Sequence, residues 1–332
     1  MKSIGIIANP SSGKDIRRLV GYGSVFNNYE KVNIVKRLLL AMDSAGVRDV
    51  FFMPDQFGIC TRALEDLDIS LRAVPINMEV EGSQVDSMRA AALMAKQEVA
   101  CIITLGGDGT NRIISKGCGD TPLLPIAAGT NNVFPMMVEG TIAGIAAGII
   151  SRNSSLTKRN LYRAPRLEIY RGTDLIDIAL IDVVVSTSDF IGSRAVWDES
   201  TLQEIFLSRS EPNKIGFSSV GGHLCPLSPD SGKGLHIVIG LGNIEVRAPI
   251  APGLIRSLPI SYYHTFKPGE PILINSSSST VALDGEREIS ITKGDQLVVQ
   301  INTEGPLVVD VDKVLTEASK KKLFYKGGKK FN

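Results

Sequence analysis

The sequence predicts two domains: an α/β domain with a parallel sheet, followed by a β-rich domain of the sandwich type. The chain has 332 residues, which is longer than one typical domain. Its first half alternates short apolar runs with segments of helical periodicity, a pattern typical of a parallel sheet covered on both faces. From about Arg163 onward, runs that alternate apolar with polar residues are separated by Gly, Pro, Asn and Ser, which is typical of an all-β domain.

The strands of the first domain are predicted from apolar runs that end at turn residues. The first run, Ile4-Gly5-Ile6-Ile7-Ala8, stops at Asn9-Pro10, as a buried parallel strand does before a loop. Ser83 is placed to cap a helix over residues 83–96. Further strands are predicted over 50–53, 99–105 and 123–126, and further helices over 32–45 and from about residues 111 and 141.

The strands of the second domain are predicted over residues 166–171, 176–185, 235–241, 271–274, 288–292, 297–301 and 307–311. The polar stretch 151–160 is predicted to be the linker. The predicted division is an α/β domain over 1–155, a β-rich domain over 161–312, and a C-terminal helix and tail over 313–332 that could return to the first domain.

Composition and charge argue against several classes of partner. The formal net charge is +1, so no bulk electrostatic attraction to nucleic acid or to an anionic membrane is expected. The four cysteines are scattered, which is typical of reduced thiols and not of a zinc site. The N-terminal apolar run is too short for a signal peptide, and the apolar stretch 141–150 is about half of a membrane span. We therefore expect a cytoplasmic protein with no membrane span.

A glycine-rich cluster, Gly106-Gly107-Asp108-Gly109-Thr110, stands where a predicted strand ends and a helix begins. Ligands of α/β proteins bind at the carboxyl ends of parallel strands, so this is the expected place for a site. The glycines let the backbone approach a ligand, and the N–H groups of the turn attract an anion. A carboxylate repels such a ligand unless it accepts a proton or holds Mg²⁺, which makes Asp108 a candidate catalytic residue. The alternative is a tight turn with an Asp cap.

A second cluster, Gly129-Thr130-Asn131-Asn132, follows the next predicted strand. Because the carboxyl ends of neighbouring parallel strands meet at one edge of the sheet, this cluster is expected beside the first. In the alternative interpretation, Asn131 and Asn132 are only helix caps.

The loop that follows the first predicted strand, which we call the first loop, is Asn9-Pro10-Ser11-Ser12-Gly13. It is not a Walker A P-loop, because Ala8 stands where Gly is needed and Asp15 stands where Ser or Thr would bind Mg²⁺. The loop still offers hydroxyls and backbone N–H groups to a triphosphate. A plain polar turn between a strand and a helix is the alternative.

Together, these three loops resemble those of the NAD kinase and diacylglycerol kinase superfamily. The superfamily's G-G-D-G-T motif is matched without change from Gly106 to Thr110, and Asn9 to Gly13 is similar to its N-P-x-x-G nucleotide loop. The stretch G-T-N-N-V-F-P from Gly129 resembles the ATP-NAD kinase branch that includes acetoin-catabolism protein X. Glu81-Gly82-Ser83 fits that branch too.

The resemblance extends into the second half of the chain. Val185-Ser186-Thr187 is similar to the V-S-T segment with which NAD kinases contact the dinucleotide. Asp284-Gly285-Glu286 matches a D-G-[EQ] element that NAD kinases share with lipid kinases.

The resemblance implies a homo-oligomeric, two-domain kinase that uses ATP and Mg²⁺ in a cleft between its domains. It implies two candidates for the catalytic base: Asp108, as in NAD kinases, and Asp284, as in bacterial lipid kinases. Phosphoryl transfer needs positioning, a metal ion and help with one proton, and either carboxylate is able to give that help. No metal ligand is assigned. The resemblance assigns ligand contacts to Asn9, Ser11, Ser12, Gly13, Gly106, Gly107, Gly109, Thr110, Gly129, Thr130, Asn131, Asn132, Ser186, Thr187 and Glu286.

The acceptor that the resemblance implies is the ribose 2′-hydroxyl of NAD(H) or a hydroxyl of a related soluble compound. The chain lacks the Asn-Glu pair with which NAD kinases hold that ribose, so the identity of the acceptor stays open. The choice between ATP and polyphosphate as phosphoryl donor is open as well. Two alternatives remain: a lipid kinase that uses Asp284, and a non-catalytic nucleotide-binding regulator. In a regulator, Phe190, Trp197 or Phe206 would fill the space for the acceptor.

Overall fold

The computed structural model of the chain describes residues 1–13, 22–23, 26–129, 132–152, 159–187, 199–275, 279–285, 287–291 and 295–324. Three residues with predicted ligand contacts, Thr130, Asn131 and Glu286, lie outside these ranges.

The first domain is built on a central sheet whose first five strands are parallel, as the apolar runs predict. Strand order is β3-β2-β1-β4-β5, continued by two short strands of later sequence. All side chains of β1, β4 and β5 are buried, because helices cover both faces of the sheet. The five strands are β1 (Ile4–Ala8), β2 (Asp49–Phe52), β3 (Arg72–Pro75), β4 (Ile102–Gly106) and β5 (Leu123–Ala127).

Five helices of the first domain pack on this sheet. They are α1 (Asn28–Ser44), α2 (Ile59–Leu64), α3 (Gln84–Lys96), α4 (Asp108–Ser115) and α5 (Gly140–Arg152). Apolar side chains of α1, α2 and α5 form the core on one face, and those of α3 and α4 form the core on the other. Ser83 caps α3 as predicted, in a reciprocal capping box with Asp86.

The second domain is mostly antiparallel, with two sheets that pack face to face around an apolar core. Strand order is β12-β11-β10-β9-β14-β15 in the larger sheet and β13-β16-β7-β8 in the smaller one. The helix α6 (Phe217–Leu224) packs on the outer face of the larger sheet. The strands of these two sheets are β7 (Arg166–Arg171), β8 (Asp174–Ala179), β9 (Asp182–Ser186), β10 (Leu202–Leu207), β11 (Gly234–Ala251), β12 (Leu254–Phe266), β13 (Ile272–Leu273), β14 (Ser279–Leu283), β15 (Arg287–Ile291) and β16 (Leu297–Asn302). The short strands β6 (Leu161–Arg163) and β17 (Leu307–Val309) belong to the sheet of the first domain.

The two ends of the range 161–312 differ from the sequence prediction, because they belong to the first sheet. Strand β17 pairs with β5 in parallel and with β6 in the antiparallel direction. The last helix, α7 (Val311–Lys320), buries Val311, Val314 and Ala318 in the same core as α1 and α5. The last described helix therefore packs on the first domain.

The predicted strand 176–185 is two strands, each in a different sheet. Strand β8 ends at Ala179 in the smaller sheet, and β9 begins at Asp182 in the larger one. Leu180 and Ile181 carry the chain between the sheets, so their backbone N–H groups need partners outside both ladders. Asp284 supplies those partners, as described below.

The predicted fold class is confirmed: an α/β domain with a mostly parallel sheet precedes a β-rich domain of sandwich type. What matters for function is that β1, β4 and β5 are neighbours in that sheet. The three loops singled out in the sequence therefore emerge side by side from one edge.

Candidate active site

The three glycine-rich loops converge at the carboxyl edge of the first sheet. The backbone N–H of Asn9 donates to the carbonyl of Leu105 at 3.1 Å, and that of Ala128 donates to Gly106 at 3.3 Å. The first loop is thereby held against the end of β4. The loop that follows β5, which we call the third loop, is held against Gly106, the first residue of the G-G-D-G-T cluster. The predicted neighbourhood of these loops is what the structure shows.

Asp108 is the first residue of α4 and contacts the loop that follows β5. Its half-buried carboxylate accepts a hydrogen bond from the backbone N–H of Phe134 at 2.8 Å. It also accepts from the N–H of Val133 at 3.1 Å to each oxygen. The side chain is therefore fixed between the start of α4 and the loop that follows β5.

Asn9 joins the first loop to the G-G-D-G-T cluster. Its side-chain amide donates to the hydroxyl of Thr110 at 2.9 Å, and its side-chain oxygen accepts from the N–H of Ser11 at 2.9 Å. The hydroxyl of Ser12 donates to the Asn9 carbonyl at 2.9 Å. These contacts explain why Asn, which both donates and accepts, is suited to this position.

Lys31, which the sequence analysis did not single out, supports the first loop from below. Its side chain is fully buried, and the ammonium donates to the carbonyls of Asn9 at 2.8 Å and Ser12 at 2.7 Å. It also donates to the side-chain oxygen of Asn28 at 3.0 Å. A buried cation in contact with this loop makes the local electrostatic potential more positive, which favours an anionic ligand. A lysine on a helix with mostly apolar neighbours was the one available sequence signal.

Two glycines are required because the loops approach each other closely. Gly13 has a φ of +78°, and a Cβ there would come within 2.7 Å of the Phe26 carbonyl oxygen. A Cβ on Gly106 would lie 2.5 Å from the Thr110 methyl group. The side-chain amide of Asn132 donates to the carbonyl of Gly129 at 3.0 Å and so closes the loop that binds Asp108.

Asp284, the second candidate base, is buried in a cluster of charged side chains between the two domains. Its carboxylate accepts from the backbone N–H groups of Leu180 at 2.9 Å, Ile181 at 2.8 Å and Asp182 at 3.2 Å. The Arg112 Nε lies 3.6 Å from it, and neither side chain is exposed to solvent. These contacts favour a structural role for Asp284, because no face of the carboxylate is open to a substrate.

Burial is the main influence on Asp284. It raises the pKa of the carboxyl group, against the opposing effects of Arg112 and of the three backbone N–H groups. Arg112 also lies 3.4 Å from Asp177, which in turn pairs with Lys116 at 2.5 Å. Two cations thus face two carboxylates, and this cluster joins α4 to the second domain.

A cavity of about 600 Å³ lies beside the first loop. Its walls come from residues 9–12, from Met53 to Gln56 after β2, from the start of α3, and from Gly285 of the second domain. Two acids in the wall, Asp55 and Asp86, each accept three backbone N–H bonds and so are occupied as caps. In the first loop, the N–H groups of Asn9, Ser11 and Ser12 and the hydroxyl of Ser12 already donate within the protein. The exposed hydroxyl of Ser11 is therefore the donor of this loop that suits an anion.

The structure does not bring Ser186 and Thr187 to this site. Ser186 is the last residue of β9, whereas Asp182 begins that strand next to Asp284. Four residues of strand correspond to about 13 Å. Ser186 is fully buried and its hydroxyl donates to Thr201 at 3.0 Å. The resemblance of Val185-Ser186-Thr187 to a dinucleotide contact therefore has no support from its position.

Arg209 is a further residue near the centre that sequence reasoning missed. It follows β10 and is 3% exposed, with its guanidinium 5.5 Å from the ring centroid of Phe134. Phe134 is the residue whose N–H binds Asp108. Arg209 thus connects the second domain to the loop that positions Asp108.

Within the described parts of the chain, no group of three or more His, Cys, Asp or Glu side chains is placed to hold a metal ion. None of the helices described there is both long and apolar enough to cross a bilayer.

Similar solved structures are remote in sequence. A diacylglycerol kinase from Bacillus anthracis str. Sterne is 14% identical, with a TM-score of 0.47, over 93% of this chain and 96% of that one. An NAD kinase from Archaeoglobus fulgidus in complex with ATP is 12% identical, with a TM-score of 0.42, over 98% of this chain and 100% of that one.

Sequence comparison identifies the family. Residues 4–153 match the family model of the ATP-NAD kinase N-terminal domain, and residues 165–304 match that of the acetoin catabolism protein X C-terminal domain. Acetoin catabolism protein X of Cupriavidus necator is 38% identical over 331 residues, covering 96% of this chain and 92% of the relative. With this identity over nearly the whole of both chains, and with an ATP-NAD kinase-type first domain, the chain belongs to the acetoin catabolism protein X family.

Proposed function

We propose that this protein is an ATP-dependent phosphotransferase that acts on a hydroxyl of a small soluble compound, with NAD(H) as the first acceptor to test. The observation that carries the proposal is the convergence of three loops on the segment from Gly106 to Thr110, which contains Asp108. The first loop and Thr110 are joined through Asn9, and the third loop holds the Asp108 carboxylate with two backbone N–H groups. Such positioning is what phosphoryl transfer requires most from a protein.

The residues around the first loop fit ATP. The cavity there has about 600 Å³, within the range of roughly 300–1,000 Å³ that is usual for ligand pockets. The Ser11 hydroxyl would contact the phosphates, and the buried Lys31 ammonium adds positive charge to the loop that carries it. The part of the cavity near Ser83 and Met53 would take the nucleoside.

The site fits Mg²⁺ only in its usual nucleotide-bound form. Mg²⁺ is commonly held by one or two carboxylates together with substrate phosphates and water, and Asp108 is a half-buried carboxylate at the start of α4. When bound, the ion offsets negative charge on the transferred group.

Asp108 is our candidate for the residue that accepts the proton of the acceptor hydroxyl. Its carboxylate is held in place before substrate binds, so little reorganisation accompanies the transfer. Asp284 is assigned to the joint between the domains, because its side chain pairs with Arg112 and has no exposed surface, whereas Asp108 is only half-buried. This assignment disfavours the lipid kinase alternative that uses Asp284 as base.

The regulator alternative required an aromatic residue in the acceptor space. Phe206 does not supply one, because it is fully buried in the core of the second domain, stacked on His236 at 4.3 Å. Phe190 and Trp197 lie outside the described residues. A cytoplasmic location and a homo-oligomeric state are proposed with the function, from the family resemblance alone.

The test is to incubate the purified protein with Mg²⁺, ATP and NAD and to follow NADP with an NADP-specific dehydrogenase. The proposal expects turnover with NAD or, if NAD is inactive, ATP binding that directs the search to other hydroxyl compounds. A protein that neither binds ATP nor turns it over would contradict the proposal and favour a structural role for the three loops.

A further inference from the structure

A second cavity, of about 680 Å³, lies in the β-rich domain away from Asp108. It lies at the end of the larger sheet where β9 finishes and β10 begins, so that Thr187 lines it. Five residues along β9 separate Thr187 from Asp182, which corresponds to about 16 Å along the strand. This cavity is therefore separate from the proposed reaction centre.

The cavity exists because two neighbouring strands interrupt their pairing there. In β10, Leu202 pairs with Ser186 and Glu204 pairs with Val185, so Gln203 forms a β-bulge. In β11, Ile239 and Ile244 both pair with Ile260, which leaves residues 240–243 out of the ladder. Bulges redirect side chains and are common beside functional sites. Two of them on adjacent strands open this end of the sheet.

The wall of the cavity contains a buried carboxylate. Glu204 is 3% exposed, and its carboxylate accepts hydrogen bonds from the backbone N–H of Asn275 at 2.8 Å and from His236 Nε2 at 2.7 Å. His236 is itself 3% exposed and stacked on Phe206. These contacts hold the carboxylate in one orientation beside the cavity.

Further groups of the wall define its chemistry. The buried side-chain oxygen of Gln203 has no hydrogen-bond partner, which costs free energy unless a ligand supplies a donor. No Lys or Arg is among the described residues that line the cavity, so Glu204 gives it negative character. The remaining wall is largely apolar, with contributions from Leu202, Val238, Ile239, Leu241 and Pro259.

We infer that this cavity binds a small organic cation, an amine with an apolar body. The ammonium group would donate to Glu204 and to the side-chain oxygen of Gln203, and the apolar part would cover the hydrophobic wall. A charge-assisted hydrogen bond to a buried, oriented carboxylate is stronger than one between neutral groups. The site does not depend on the proposed kinase activity.

The experiment is a calorimetric titration of the full-length protein with benzylammonium, and with benzyl alcohol as its neutral counterpart. It is run at neutral pH, where an alkylammonium group keeps its charge. We expect benzylammonium to bind and benzyl alcohol to bind at least about tenfold more weakly. Glu204→Gln is expected to weaken benzylammonium binding at least about tenfold as well.

Matched variants keep the result interpretable. Glu245→Gln removes the same charge from an exposed position of β11 and should leave binding unchanged. Gln203→Met removes the unpartnered oxygen without altering Glu204 and should weaken binding, which tests the site even if Glu204→Gln fails to fold. Absence of benzylammonium binding, equal binding of benzyl alcohol, or wild-type affinity in a folded Glu204→Gln or Gln203→Met protein would overturn the inference.

Discussion

Asp284 shows at the scale of one residue how burial separates a structural carboxylate from a reactive one. Replacing it with Asn would remove one of the two carboxylates that face the buried Arg112. Removal of one member of a buried ion pair commonly costs about 3–5 kcal/mol, so we expect a loss of stability of that size. Urea unfolding of Asp284→Asn measures it.

Asp49→Asn is the matched control for that variant, because Asp49 pairs with Arg72 at the surface. Exposed ion pairs contribute about 0–1 kcal/mol, so little change is expected there. Equal losses in the two variants would argue against the role that we assign to Asp284.

Gly106 is the residue at which the absence of a side chain matters most. Its substitution by Ala would place a Cβ 2.5 Å from the Thr110 methyl group and 2.6 Å from the Thr110 Cβ, both fixed on α4. The helix start must then move away from β4, and Thr110 with it. We expect overpacking to cost about 1–3 kcal/mol and nucleotide binding to weaken.

Gly172→Ala provides the comparison for Gly106→Ala. A Cβ on Gly172 meets no atom within 4 Å, although its φ of +60° is unfavourable for Ala. Thermal unfolding and ATP titration of both variants distinguish a general glycine effect from one at the loops. Unimpaired ATP binding in Gly106→Ala would show that the contact between Gly106 and Thr110 does not shape the site.

The first loop is the element that depends most on a residue outside it. Lys31→Met keeps the length of the side chain but removes the donors to the Asn9 and Ser12 carbonyls. Hydrogen bonds to a charged group contribute about 1.5–3 kcal/mol, so their loss is expected to destabilise the loop and to release its fixed shape. We therefore expect ATP affinity to fall about tenfold or more.

Lys36→Met, on the same helix but half-buried, should bind ATP as the wild type does. Calorimetric titration with ATP measures both variants. If Lys31→Met and Lys36→Met bind ATP with the same affinity, the loop does not rely on the buried ammonium.

Strand β7 carries the clearest pH-sensitive contact of the second domain. Burial alone would raise the pKa of Glu168, but hydrogen bonds from Tyr170, Arg166 and Asn302 together lower it below its ordinary value of 4.5. A lowered pKa in the folded state adds stability above the pKa of the unfolded chain. That stability is lost as pH falls through the lower, folded value.

Glu168→Gln is therefore expected to be less stable than the wild type at neutral pH, with a difference that shrinks as the solution is acidified. Urea unfolding at several pH values measures it. A difference that stays constant down to acid pH would mean that the contacts do not depend on the charge of Glu168.

At the scale of elements, the sequence predicted β1, β2, β4 and β5 and the capped helix α3, because periodicity and local capping reside in short segments. It missed β3, β6, β10, β12 and β14. It also joined β8 to β9, because the crossing between two sheets at Leu180 and Ile181 leaves no local pattern. The N–H groups of this crossing are bound by Asp284, more than 100 residues later. Such a contact is tertiary and has no sequence spacing of its own.

At the scale of the whole molecule, the site was predictable where it depends on strand order. The loops after β1, β4 and β5 converge because parallel strands present their carboxyl ends at one edge. The position of Thr187 was not predictable from the sequence, because motif similarity does not say which end of a sheet a segment occupies. Arg209 was missed for a related reason: its contact with Phe134 arises only when the two domains pack together.

The central claim is that Asp108, and not Asp284, acts at the reaction centre. The most direct test is the rate of phosphoryl transfer per folded molecule in Asp108→Asn and Asp284→Asn, measured with the same acceptor and with ATP binding as a control. We expect Asp108→Asn to bind ATP but to lose about 10²–10⁴-fold in rate, the usual contribution of a general base. Asp284→Asn should lose stability while its rate stays within a few-fold. A normal rate in Asp108→Asn together with a collapsed rate in folded Asp284→Asn would contradict the claim.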